Sequence, residues 1–243
     1  MIECEEAGWP LKSTAGATVL ELLIALSAGV VILAAAMQSF SFFQRQFVSQ
    51  QSAVAQQQDL RLGLELLEEE LHLTEPEALS IIRPDEIEFG ANISGLVTTT
   101  IATASRGQIT LSVKDGRGWA NRKTIVVCWN DQCDTMMLAR DGQGSLLTID
   151  QPLAVSIPAG ASVSVKNTVR YYCKRDENGI WRFLRQVDGG ASVLVGDVSS
   201  VRFLYWTAQG RTAAAPALVR RITVEMSLAG QRRPTIREIG LRA

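Results

Sequence analysis

The chain contains a single histidine, His72, among 243 residues. Serine triads and cysteine–histidine pairs both need a histidine beside the nucleophile, and His72 falls late in a predicted long helix with no partners of that kind. No glycine-rich loop stands between a predicted strand and a predicted helix; Gly116-Arg117-Gly118 lacks that context. The sequence therefore predicts no catalytic residues and argues against an enzyme.

An excess of charge of one sign is also missing. The 24 Lys and Arg residues nearly balance the 25 Asp and Glu residues, for a formal net charge of −1. This balance gives no electrostatic footprint for a nucleic acid, and we expect no such partner. Cys128 and Cys133 resemble half of a zinc site, but no second cluster of Cys or His completes it. We therefore expect no metal and no cofactor.

One long apolar run is present, from Ala17 to Met37, and Glu21 is its only charged residue. As a helix this run would cover roughly 30 Å, the thickness of a bilayer's hydrocarbon core. A carboxylate there costs at least ~2.5 kcal/mol, so it usually has a partner and a function. A secretory signal would place its cut after the apolar core rather than before it. An uncleaved single-pass membrane anchor explains the run better than a secretory signal does, but it leaves Glu21 unexplained.

The helical pattern continues beyond the apolar run, predicting one helix from about Thr18 to about Leu73. Residues 17–37 form its transmembrane part and residues 38–75 its amphipathic part, which the Glu75-Pro76 step ends. A leucine stripe on the second part needs a sheet to cover it, since it is too short for a coiled coil: Leu60, Leu64, Leu67 and Leu71. Four phenylalanines follow the span and are either interfacial anchors or contacts to neighbouring helices: Phe40, Phe42, Phe43 and Phe47.

From Ile81 onward the apolar pattern alternates, as in strands, and residues 76–243 are predicted to form one β-rich head. Asn178-Gly179 predicts a hairpin turn between two of these strands. The fold class is therefore α+β, a long N-terminal helix packed on a mainly antiparallel sheet. The predicted strands are 86–89, 108–113, 124–128, 162–165, 169–175, 180–184 and 222–228, the last with Thr223, Glu225 and Ser227 on a solvated face.

The residues around the start of the apolar run resemble the type IV prepilin signature: Gly16, an apolar stretch beginning at Ala17, and Glu21 as the fifth residue after Gly16. The resemblance implies that residues 1–16 are a leader, that a prepilin peptidase cuts between Gly16 and Ala17, and that Ala17 is then N-methylated. It also implies that Glu21 acts in filament assembly.

The C-terminal half is similar to the heads of PilW-like minor pilins and J-type pseudopilins, at Leu184-Arg185, Gly189-Gly190, Phe203, Tyr205 and 220–224. This resemblance implies a single-pass inner-membrane protein with a periplasmic head that later enters a pilus or pseudopilus. Its partners would be other minor pilins or pseudopilins, the major pilin, the prepilin peptidase, the inner-membrane assembly platform and lipid. The expected function is to initiate, prime or cap a type IV pilus-like filament. Alternatives are a type II secretion pseudopilin, a tip module that binds a surface, DNA or a substrate, and a membrane-anchored enzyme.

Export to the periplasm would place the cysteines of the head in an oxidising compartment. There we expect a disulfide between Cys128 and Cys133, whereas Cys4 leaves with the leader. Cys173 is more consistent with a small core residue than with a partner for another cysteine. Asp131 and Asp134 offer a Ca²⁺ site like that of some pseudopilins, but a solvated turn is the favoured interpretation.

Overall fold

The computed structural model describes residues 18–231 and 233–241. It contains one long helix, α1 (Val19–His72), followed by a β-rich region, and the α+β class predicted from the sequence is confirmed. The helix begins and ends within one residue of the predicted bounds. The chain divides into two compact units between Val54 and Ala55, and each is described by itself below.

The described part of the first unit is the N-terminal portion of α1. Every residue from Thr18 to Val54 is exposed, including the apolar run from Thr18 to Met37. This helix is long and apolar enough to cross a membrane, which is compatible with a single-pass membrane protein.

Over its described residues, the second unit holds the end of α1 and thirteen strands, and the strand pairings among them are all antiparallel. An eight-stranded sheet, a three-stranded sheet (β11-β12-β13) and a two-stranded sheet (β4-β7) are formed. The strands are β1 (Leu79–Arg83), β2 (Glu86–Ala91), β3 (Val97–Thr99), β4 (Thr110–Ser112), β5 (Thr124–Trp129), β6 (Gln132–Met137), β7 (Leu146–Thr148), β8 (Ser162–Arg175), β9 (Trp181–Val187), β10 (Gly190–Val195), β11 (Val198–Trp206), β12 (Arg221–Leu228) and β13 (Thr235–Gly240).

Strand β8 organises the second unit because its 14 residues pair with four other strands. Its first half lies between β3 and β5, and its second half lies between β2 and β9. The two halves contribute to different apolar cores: Val163 and Val165 belong to one, and Val169 and Tyr171 to the other. The head therefore has two cores joined by one continuous strand.

The leucine stripe of α1 is buried in the second of these cores, as predicted. Its four leucines are at most 5% exposed and pack with residues of the eight-stranded and three-stranded sheets. Gly63 is buried on the same helix, and a Cβ atom there would stand 3.0 Å from a methyl group of Val195. A glycine at this position lets the helix approach β10 closely.

Two details of the predicted strands are wrong. The strand predicted over 108–113 is limited to β4, because Gln108 instead bonds to Ser105 and Leu153 in a loop. Thr223 was expected on a solvated face but is 6% exposed, because its hydroxyl accepts a hydrogen bond of 2.9 Å from Trp206 Nε1. The hairpin turn at Asn178-Gly179 is confirmed between β8 and β9.

Candidate assembly site

The predicted cleavage and methylation positions, Gly16 and Ala17, lie outside the described residues. The first described residue is Thr18, one residue before α1, and Glu21 lies in the first turn of this helix. The backbone N–H of Thr18 donates to Glu21 Oε2 at 3.3 Å, and the backbone N–H of Glu21 donates to Thr18 Oγ1 at 3.3 Å. This reciprocal pair is a capping box, which satisfies two backbone donors at a helix start.

The capping box gives Glu21 a local role that sequence reasoning missed. Thr18-x-x-Glu21 has the spacing of a capping box, and the sequence alone could have predicted it. A carboxylate near a helix N-terminus is also favoured by the helix dipole. Any test of Glu21 as an assembly residue must therefore separate its charge from its contribution to the helix start.

The side chains that follow Glu21 are large, apolar and uncovered. Val19 is 78% exposed and Ile32 is 70% exposed, and the four phenylalanines of residues 40–47 are similarly open. Arg45 lies among these phenylalanines on the exposed part of α1. It is the only charged residue between Glu21 and Asp59. This part of the helix has the composition of a surface covered by lipid or by other helices.

The second unit holds its part of α1 to the sheet through a buried ion pair that was not predicted. Glu70 is 5% exposed, and Arg185 on β9 places Nε 3.0 Å from each Glu70 oxygen and also contacts Oε1 with a terminal nitrogen. Tyr171 on β8 donates a hydrogen bond of 2.5 Å to Glu70 Oε2. The hydrogen bond to Glu70 raises the pKa of Arg185. Burial, followed by the hydrogen bond to Glu70, raises the pKa of Tyr171.

The disulfide between Cys128 and Cys133 is confirmed. It joins β5 to β6 across the two-residue turn Asn130-Asp131, where both residues have positive φ. Such a pair of φ values defines a type I′ turn, whose twist matches that of the flanking strands. The bond therefore closes a hairpin that the turn already favours.

The predicted acidic residues near this turn do not assemble into a metal site in the part of the chain described here. Asp134 accepts a hydrogen bond of 2.9 Å from the backbone N–H of Thr135. Within residues 18–231 and 233–241, no group of three or more His, Cys, Asp or Glu side chains lies close enough to hold a metal ion. Asp131 and Asp134 are thus not joined by a third ligand of these types.

Cys173 is the free thiol among the described cysteines, and it is half-buried at the edge of the core that α1 covers. Burial raises the pKa of its thiol to about 12, with Asp85 adding to the effect. At neutral pH the thiol is therefore protonated and weakly nucleophilic, which suits a packing role.

Comparison of the chain with protein-family models, with curated proteins and with solved structures finds no match.

Proposed function

We propose that this chain is a minor pilin that helps to initiate, prime or cap a type IV pilus-like filament after waiting in the inner membrane. The observation that carries the proposal is the uncovered apolar part of α1, which begins at Val19, three residues after Gly16 in the sequence, and carries one acid, Glu21. A helix of this kind needs lipid before assembly and other helices after it. The partners are accordingly other pilin-like subunits, the prepilin peptidase and the assembly platform.

The proposed assembly contact joins a positive amine to the Glu21 carboxylate. Each of these charges alone would be costly to place in an apolar layer. Cleavage after Gly16 creates a positive amine at Ala17, close to the apolar layer. Glu21 of an incoming subunit then meets the Ala17 amine of a subunit already in the filament. Attraction between the two charges is strengthened by the low dielectric around them, and only one axial stagger neutralises both.

The capping box is consistent with this proposal, because it gives the Glu21 carboxylate a hydrogen-bond partner before another subunit arrives. One of its oxygens already accepts the Thr18 N–H at 3.3 Å. An amine of another subunit then adds a charged donor to the same carboxylate, and a charge-assisted bond is about twice as strong as a neutral one. Glu21 therefore serves as a helix cap in the membrane and as a docking charge in the filament.

Two conservative substitutions separate these roles. Glu21→Gln retains a side chain that completes a capping box but has no charge, whereas Thr18→Val removes the hydroxyl and keeps the charge. Both variants should insert and be cleaved, because neither changes Gly16 or removes an apolar side chain from the run. We expect Glu21→Gln to lose co-purification with partner minor pilins and to lower pilus number, and Thr18→Val to retain both.

The measurement is co-immunoprecipitation from membranes of the native host, together with a count of pili. If Glu21→Gln assembles normally, the docking charge is not what recruits this subunit. If Thr18→Val fails as completely as Glu21→Gln, the helix cap is required as well as the charge, and the charge alone does not explain assembly.

A further inference from the structure

Arg45 has no acidic neighbour on the exposed part of α1. On a helix, a side chain meets the residues three and four positions away, and for Arg45 these are Ser41, Phe42, Val48 and Ser49. Among the described residues, no ion pair includes Arg45. Its guanidinium is therefore available to an anion from outside the helix.

The axial distance between Arg45 and Glu21 matches the thickness of a bilayer. The two residues are 24 positions apart (45 − 21 = 24) in one continuous helix, which places about 36 Å between them. A bilayer is about 30 Å thick across its hydrocarbon core and about 40 Å with its headgroups. With Arg45 at the phosphates of one leaflet, about 20 Å from the midplane, Glu21 lies about 16 Å beyond the midplane. Neither charge then lies inside the hydrocarbon, where a charged side chain is costly.

Four phenylalanines surround Arg45 at the level where hydrocarbon would meet headgroups. Phe40, Phe42 and Phe43 come before it and Phe47 comes after it, and each is 58–66% exposed. The rings of Phe42 and Phe43 contact each other edge to face, with their centroids 6.0 Å apart. Apolar rings on the hydrocarbon side of a cation favour this level of the helix at the interface, while the arginine side chain extends to the headgroups.

The chemistry of the guanidinium selects phosphate among the groups at a membrane surface. Its planar set of donors matches two oxygens of one phosphate, and such charge-assisted bonds are short and strong. The segment after Arg45, from Gln46 to Gln58, is uncharged, so it offers no competing ion. A cation beside an apolar collar, with no acid in reach, therefore fits the phosphate of a lipid headgroup.

We propose that Arg45 binds the phosphate of a membrane phospholipid and thereby sets the depth of α1 in the bilayer. The inference rests on the proposed function, because that function places this helix in a membrane before assembly. The contact is released when the subunit leaves the bilayer, so it holds the waiting subunit and not the finished filament.

The first test measures the phosphate contact directly. The full chain, with its arginines labelled with ¹³C at Cζ, is reconstituted in bilayers of phosphatidylethanolamine and phosphatidylglycerol. Rotational-echo double-resonance NMR between this carbon and the lipid ³¹P detects arginines that touch phosphate. We expect a dephased signal that Arg45→Gln abolishes. Arg61→Gln should leave it unchanged, because Arg61 is paired with Glu65 at 2.9 Å.

The second test moves the cation along the helix. Arg45→Ser combined with Ser49→Arg keeps the composition and places the guanidinium one turn later on the same face, about 6 Å along the axis. Phe40→Trp in both proteins reports depth, through quenching by lipids brominated at two positions of the acyl chain. We expect the reporter of the shifted variant to lie about 3–6 Å deeper in the hydrocarbon. An unchanged depth would show that the apolar side chains alone set it, and would overturn the proposal.

Failure of this inference can be distinguished from failure of the proposed function. Resistance to extraction by alkaline carbonate tests whether the helix spans the membrane, whatever Arg45 contacts. A resistant chain without ³¹P dephasing would retain its membrane helix and overturn the phosphate contact; an acid of a neighbouring subunit as the partner of Arg45 would give this result. A chain that carbonate extracts from membranes of the native host would overturn both proposals.

Discussion

Tyr171 donates a hydrogen bond of 2.5 Å to the carboxylate of Glu70, although 101 residues separate the two in the chain. Arg185 contacts the same carboxylate from the neighbouring strand. Glu70 is on the last part of α1, and its partners are on the strands that form the centre of one core. The ion pair and the hydrogen bond therefore tie the helix to the head by polar contacts inside an otherwise apolar interface.

Substitution of Glu70 should destabilise the head strongly. Glu70→Gln leaves the partly buried Arg185 guanidinium without a counter-charge, and breaking a buried pair in this way costs about 3 kcal/mol of the free energy of unfolding. Glu69→Gln is the matched control, because Glu69 is the adjacent acid and is exposed. Urea denaturation of the full chain, followed by tryptophan fluorescence, measures the difference.

A double substitution separates two contributions to the free energy of unfolding: the destabilisation by one unpaired buried charge, and the net stabilisation by the Glu70–Arg185 pair. Glu70→Leu with Arg185→Met replaces both charges by apolar groups and should recover most of the stability lost by either single change. A double variant as unstable as the sum of the two singles would contradict this account of the interface.

The thiol of Cys173 should react slowly in the folded protein. Because burial raises its pKa to about 12, the reactive thiolate is rare at pH 8. Ellman's reagent should modify it far more slowly in the native protein than in urea. The raised pKa also stabilises the fold below the unfolded value of about 8.5, and this stabilisation is lost as the pH rises towards 12. Equal rates in the native and unfolded protein would show that the thiol is accessible.

Asp188 should make stability depend on acid pH. Burial favours its neutral form, but hydrogen bonds from Lys123, Asn167 and the Thr168 backbone outweigh burial and lower its pKa. A lowered pKa contributes stability that is present above the unfolded value of about 3.9 and is lost as the pH falls through the folded value.

Asp188→Asn removes the titrating group and keeps a residue that tolerates the positive φ of 48° at this turn. We expect it to lower the free energy of unfolding by about 1–2 kcal/mol at pH 7, because the donors of Lys123, Asn167 and the Thr168 backbone no longer face a charged acceptor. The difference from the unsubstituted protein should shrink as the pH falls below the unfolded value of about 3.9. A difference that stays constant with pH would mean that the Asp188 charge contributes nothing.

The helix α1 shows which structural features the sequence pattern could predict and which it could not. Its bounds and its leucine stripe were predictable because apolar spacing and the proline step are local signals. The buried face also contains a second column with a seven-residue spacing, Gly63 and Glu70, with Gln56 half-buried at the next position. That column was missed because its members are not apolar. Only the sheet opposite them makes a glycine and an acid suitable there.

The two-core head was not predictable for a different reason. The two predicted strands 162–165 and 169–175 are one strand, β8, whose two halves pair with different neighbours. Alternation within a segment predicts a strand but carries no information on which strands pair with it. Long-range pairing is therefore what the sequence pattern leaves open.

The most direct test of the central claim is the intact mass of the protein purified from membranes of its native host. The proposal that this chain is processed as a pilin predicts a protein that begins at Ala17 and carries one methyl group on its N-terminal amine. Gly16→Glu should leave the leader attached, because the larger side chain clashes at the peptidase site. An unsubstituted protein whose mass shows an intact Met1 N-terminus would contradict the assignment as a minor pilin.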